Sequence, residues 1–138
     1  MTKEQLATMA KEAMEQAYSP YSGYKVGAAL LCKDGSVYTG CNVENASFSA
    51  TNCAERTAFF KAVSEGKREF SAIAICGGKG GNIEGLFPPC GVCRQVMREF
   101  CEDDFEIYLV MKDGIETYTL EELLPLSFAP KTIKKTEK

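Results

Sequence analysis

Histidine is absent from this 138-residue chain, so any metal site must be assembled from sulfur and carboxylate. No window approaches the ~18 consecutive apolar residues of a membrane span. Residues 1–17 form a charged amphipathic segment, not the apolar h-region of a secretory leader. Basic charge is scarce as well. Sixteen Lys and Arg against 19 Asp and Glu leave a net charge of −3. The only dense basic cluster, Lys131, Lys134, Lys135 and Lys138, closes the chain, and it reads as a solvated tail, unlike the basic stripe of a duplex-binding protein. The glycine-rich stretch Gly77 to Asn82 lacks the Gly-Lys-Ser/Thr ending of a P-loop, and G-x-G-x-x-G fails at Ile83. There is no internal repeat and no linker. With 45% hydrophobic and 25% charged residues, the expectation is a single globular domain over 1–130 and a flexible tail over 131–138, with neither nucleic acid nor membrane as partner.

What the chain does have is sulfur. Seven cysteines are an odd number, and without a leader they suit free thiols or metal ligands in a reducing cytosol, so a cytoplasmic location is expected. Residues 53–55 read Cys-Ala-Glu, and residues 89–93 read Pro-Cys-Gly-Val-Cys. Three potential thiolate ligands, with one carboxylate not needed as a ligand, match a catalytic zinc, which keeps one position open for water. Two other readings stay open. Cys90 and Cys93 could form a redox pair, or Cys76 or Cys101 could supply a fourth ligand to a structural zinc. Neither accounts for Cys53-Ala54-Glu55. Cys32, Cys41, Cys76 and Cys101 are otherwise expected as small buried hydrophobes.

The periodicity predicts a capped helix over 3–17, two antiparallel strands within 25–41 turning at Lys33-Asp34-Gly35, and a helix from about Cys53 to Gly66. A buried strand over 70–76, a loop over 77–82 and a helix over 91–101 follow. Strands at 105–111 and 115–119 and a short helix over 120–124 complete the order. This predicts an α/β fold, a three-layer α/β/α sandwich with a mixed five-stranded sheet. Cys53 and Cys90 then fall at helix starts, where free N–H groups and the helix dipole lower thiol pKa values. Residues i and i+2 do not share a helix face, so Cys53 and Glu55 converge only if Cys53 precedes the first helical residue. Arg56 can fold back onto the sulfurs and offset the excess negative charge of a three-thiolate zinc.

The chain resembles the small homotetrameric zinc-dependent cytidine deaminases of the cytidine and deoxycytidylate deaminase family. The likeness is carried by Thr51 to Ala58 and Pro88 to Val96, the three-cysteine form of a zinc deaminase signature. Tyr18 to Ser22, Val26 to Leu30, Gly40 to Ala46 and Glu121 to Pro125 extend it over about residues 5–128. The resemblance implies a cytidine deaminase-like fold and hydrolytic deamination of cytidine and deoxycytidine, with release of ammonia. It implies one Zn²⁺ per subunit on Cys53, Cys90 and Cys93, with Glu55 as proton shuttle to water activated by the metal. Asn42 and Glu44 match the residues that bind the ribose, Tyr24 and Ala54 match positions near the nucleoside, and Phe128 matches an aromatic that reaches from a neighbouring subunit. The family often has Phe at Tyr24 and Tyr at Phe48. A deaminase of a cytosine nucleoside analogue such as blasticidin S is the alternative within the same chemistry, and a non-enzymatic structural zinc module the alternative outside it.

Overall fold

The computed structural model describes residues 1–83 and 85–134. Its elements run α1 (Lys3–Met14), β1 (Tyr24–Cys32), β2 (Val37–Cys41), α2 (Ala54–Ser64), β3 (Phe70–Lys79), α3 (Gly91–Phe100), β4 (Glu106–Met111), β5 (Gly114–Thr119), α4 (Leu120–Leu123) and α5 (Pro130–Ile133). The strand order is β2-β1-β3-β4-β5, with β3 and β4 parallel and every other pair antiparallel. The expected mixed five-stranded sheet is present.

Both faces of the sheet are covered, which is why its central strands read as nearly continuous apolar runs. Ala29, Ala72, Ala74 and Cys76 meet Leu6, Ala7, Ala10 and Met14 of α1. The alternate residues Ala28, Leu30, Ile73, Ile75 and Ile107 pack with Ala58, Phe59 and Ala62 of α2 and Met97 of α3. The period-2 alternation of each strand thus assigns one helix to one layer and two to the other.

Three boundaries differ from the sequence expectation. Helix α1 starts with the expected capping box, Gln5 N donating to Thr2 Oγ1 at 3.1 Å and Thr2 N to Gln5 Oε1 at 2.8 Å. It stops at Met14, not residue 17, because Glu15, Gln16 and Ala17 tighten into i−3 bonds and Tyr18 N turns to Asn42 O at 3.0 Å. Strand β3 continues through Gly77 and Gly78, which pair with Val26 and Lys25. A side chain at Gly77 would strike the Phe87 ring, so glycine here permits close packing where loop flexibility was expected. Part of the expected tail is ordered as α5, whose start is held by Ala129 N donating to Thr132 Oγ1. Lys135 and Lys138 of that tail lie outside the described residues.

Gly40 sets the distance between β2 and the start of α2. A Cβ there would lie 2.5 Å from Ala54 O and 2.6 Å from Ala58 N, both backbone atoms that cannot swing aside. Gly40→Ala is therefore expected to destabilise by about 2–3 kcal/mol, at the upper end of overpacking costs. A thermal melt should drop by roughly 6–12 °C; an unchanged melt would show that α2 can lift off the sheet freely.

Candidate active site

Two helix N-termini and one returning loop build the site. Cys53 is the N-cap of α2, with φ −77° and ψ 156°, and its extended backbone lets the sulfur turn to the same side as Glu55 two residues on. Cys90 is the N-cap of α3, also extended, and Cys93 lies in that helix's first turn. Between β2 and α2 the chain doubles back. Val43 N donates to Asn52 O and Asn52 N to Val43 O, each at 2.9 Å, while Glu44 N donates to Tyr18 O at 2.9 Å. These bonds bring Asn42 and Glu44 beside the start of α2.

The sulfurs converge. Cys53 Sγ lies 3.8 Å from Cys90 Sγ, and Cys90 Sγ lies 3.6 Å from Cys93 Sγ. All three fall within 4.8 Å of one another, and among the described residues they form the one such group of potential metal ligands. A tetrahedral zinc with Zn–S bonds of about 2.3 Å places its sulfurs about 3.8 Å apart, so this donor set fits the ion. No fourth thiol joins them. Cys101 caps the far end of α3, and Cys76 points at Met14 Sδ in the opposite layer. Burial pushes the Cys76 thiol up to about 11 and raises that of Cys101 as well. Cys32 is buried too, but Cys41 is only half-buried.

Arg56 Nη2 donates to Cys53 Sγ at 3.3 Å, from one helical turn further along α2. Its Nε is buried without a hydrogen-bond partner among the described residues, so the guanidinium is committed to the sulfurs at some cost in lost hydration. The neighbouring Cys93 thiol, together with the hydrogen bonds from Arg56 and Cys90, lowers the Cys53 thiol to about 5. The proximity of Cys53, with burial, raises the Cys93 thiol. Glu55 is 4% exposed, and burial pushes its carboxyl up to about 7, with the Cys53 charge adding to the rise and Arg56 opposing it.

A cavity of about 270 Å³ opens over these groups, lined by Asn42, Glu44, Cys53, Ala54, Glu55 and Cys90 among others. Asn42 Oδ1 accepts from Val26 N and Asn42 Nδ2 donates to Tyr24 O, both at 2.8 Å, locking the amide to β1. Glu44 Oε1 accepts from Tyr21 N at 2.9 Å and Ser22 N at 3.0 Å, and its Oε2 accepts from the Ser22 hydroxyl. That hydroxyl, followed by the backbone donors, holds the Glu44 carboxyl below its usual range. Phe87 and Pro88 form an apolar wall. Phe87 had no signal in the sequence, because it lies in an aperiodic stretch. Tyr24 stands one ring behind it, 5.9 Å between centroids. Phe128 is 60% exposed and does not line this cavity.

Residues 1–109 match the family model of the cytidine and deoxycytidylate deaminase zinc-binding region. The chain belongs to that family. It is 52% identical over 130 residues to a cytidine deaminase of Sporosarcina psychrophila, covering 94% of this chain and 93% of that one. The crystal structure of a cytidine deaminase from Burkholderia pseudomallei superposes with a TM-score of 0.86 at 48% identity, covering 93% of this chain and all of that one. A blasticidin-S deaminase of Bacillus cereus is more distant, 29% identical over 128 residues and 90% of each chain. Zinc is the family's metal, and the Arg56–Cys53 bond makes a prediction about its retention. Arg56→Gln is expected to weaken zinc binding about 10–100-fold, the usual effect of losing a group that orients a metal ligand. Competition with a chromophoric chelator measures this, and unaltered competition would reduce Arg56 to a packing residue.

Proposed function

We propose that the chain catalyses the hydrolytic deamination of cytidine and deoxycytidine to uridine and deoxyuridine, with release of ammonia. The observation that carries the reading is Glu55: a buried carboxyl raised to about 7, beside three convergent sulfurs, at one cavity with Asn42 and Glu44. A carboxyl with a pKa near the working pH gives and takes protons with equal ease.

Cys53, Cys90 and Cys93 would hold the zinc. When bound it supplies Lewis acidity, which lowers the pKa of water held there toward ~7. The Glu55 carboxylate is placed to take a proton from the attacking water and deliver it to N3 of the pyrimidine. C4 thereby becomes electrophilic and accepts the oxygen. Glu55 then takes the remaining proton of the hydroxyl added at C4 and passes it to the exocyclic nitrogen as the C4–N bond breaks and the C4 carbonyl forms, so that one water is consumed and one ammonia leaves. Phe87 and Ala54 flank the base. Asn42 and Glu44 fix the ribose: each has hydrogen-bonding capacity beyond the bonds described above, enough to receive a sugar hydroxyl.

The reading extends to a homotetramer with active sites at its subunit interfaces, in which Phe128 of one copy stacks on the base bound in another. Exposed rings at Phe48, Tyr21 and Phe128 suit such burial. Pyrimidine salvage in the cytoplasm is the expected setting, and seven free thiols suit a reducing compartment. Ultraviolet monitoring of cytidine, deoxycytidine and blasticidin S, with Glu55→Gln as control, tests the activity. Turnover of both nucleosides by the parent alone supports it. Turnover of blasticidin S only would transfer the site to the analogue class, and turnover of none would leave a metal module.

A further inference from the structure

Helix α3 has two working sides. The inner one carries Cys93, while Arg94, Gln95 and Arg98 all reach the chain that follows β5. Arg94 Nη1 donates to Leu123 O at 2.6 Å, and its Nε donates to Pro89 O at 2.8 Å. Gln95 Nε2 donates to Phe128 O at 2.8 Å, and Arg98 Nε donates to Ser127 Oγ at 2.8 Å. Arg98 is itself held, with Nη2 2.7 Å from Asp103 Oδ1 and only 9% of the residue exposed. Ala129 is buried beyond this grip, yet Leu126 and Phe128 stand in solvent. Leu126 has φ +49°, a left-handed conformation that a non-glycine residue keeps only where surrounding contacts hold it.

We propose that Gln95 and Arg98 are positioning residues for Phe128: they grip the chain at Ser127 and at the Phe128 carbonyl, so that the ring is presented, already aimed, to the nucleoside cavity of a second copy. The inference rests on the reading of Phe128 given above. A ring carried on a loose chain loses backbone freedom when it docks on a ligand, and a segment fixed in advance loses less. The grip therefore acts on nucleoside binding and leaves proton transfer at Glu55 untouched. Because Arg94 also holds Pro89, next to Cys90, one helix face ties the metal loop of its own subunit to the segment offered to the neighbour.

Gln95→Ala and Ser127→Ala test this without disturbing the Arg98–Asp103 pair, each alone and each combined with Phe128→Ala. The readouts are KM and kcat for cytidine, zinc content and oligomer size. Phe128→Ala should raise KM about tenfold or more, the usual effect of losing an aromatic stacked on a base. Gln95→Ala and Ser127→Ala should each raise KM about 3–10-fold, the effect of one lost hydrogen bond, with kcat and zinc retained. In the Phe128→Ala background neither should raise it further, because each acts through the ring. Single variants with parental KM, beside a Phe128→Ala variant that binds poorly, would overturn the positioning role and leave the ring's role standing. An equal KM increase with and without the ring would overturn it too, as a general structural effect. A parental KM for Phe128→Ala would remove the reading of Phe128 and the positioning role with it.

Discussion

Glu55→Gln is expected to cut kcat for cytidine by at least ~10³-fold, because one carboxyl serves successive proton transfers and each such group contributes about 10²–10⁴-fold. Zinc should stay at one ion per chain, since the amide replaces no ligand. The same variant carries a stability signature whose sign is fixed by burial. Folding raises the Glu55 carboxyl from its ordinary 4.5 to about 7, so the fold favours the protonated form. That contribution is fully present below about 4.5 and is lost as pH rises from there through about 7, where the buried group must ionise. A shift of this size is worth roughly 3 kcal/mol. In chelator-stripped protein, Glu55→Gln should therefore match the parent near pH 5 and exceed it in denaturation midpoint above pH 8. The three cysteines titrate in both proteins, but only in the parent does their charge oppose that of Glu55, which adds to the expected difference at high pH. A variant that keeps turnover within tenfold would sink Glu55 as the shuttle, and one that is less stable than the parent at high pH would refute the account of its burial.

Cys93→Ala should abolish both zinc and activity. Zinc sites contribute about 10–16 kcal/mol in total, so losing one of three sulfurs removes on the order of 4 kcal/mol, or roughly 10³-fold in affinity. Cys90→Ala separates metal from packing. Cys90 is exposed and Cys93 is 1% exposed. Equal loss of zinc in the two variants, with a larger drop in melting temperature for Cys93→Ala after chelation, is the expected pattern. Metal analysis by atomic absorption reads the first and calorimetry the second. Stoichiometric zinc in either variant would show that a different donor set holds the ion.

The site was legible where its chemistry is local. Cys53 and Glu55 are two residues apart, and Cys90 and Cys93 three apart, so the conformation of two helix starts decides where they point, and helix starts leave marks in sequence. Arg56 was legible for the same reason, being one turn from Cys53. Phe87 was not, because only the fold places its stretch of chain over β3. Nor was the double attachment of Asn42, since its partners Val26 and Tyr24 become neighbours only after β1 and β2 pair. The strand pattern showed which residues alternate, but Gly77 and Gly78 were misread as loop. Glycine marks flexibility and close approach with the same letter, and only the Phe87 ring distinguishes them. The end of α1 was missed because a long-range bond, Tyr18 to Asn42, pulls the chain out of a helix that local propensity would have continued.

Glu44 shows how a cavity can tell a nucleoside from its bare base without touching the base. Three donors from Tyr21 and Ser22 keep the carboxylate charged and fixed, and a fourth acceptor direction remains. On the proposed reading, a sugar hydroxyl fills it. Free cytosine has the same ring, amino group and N3, yet on entering it would strip water from Glu44 and Asn42 and return nothing. An enzyme that discriminates by a polar group left unpaired rejects such a truncated molecule far more strongly than one that relies on fit against an apolar wall. On that reading the loop at Tyr21 and Ser22, which makes no direct claim on the chemistry, sets what size of molecule the chemistry is offered.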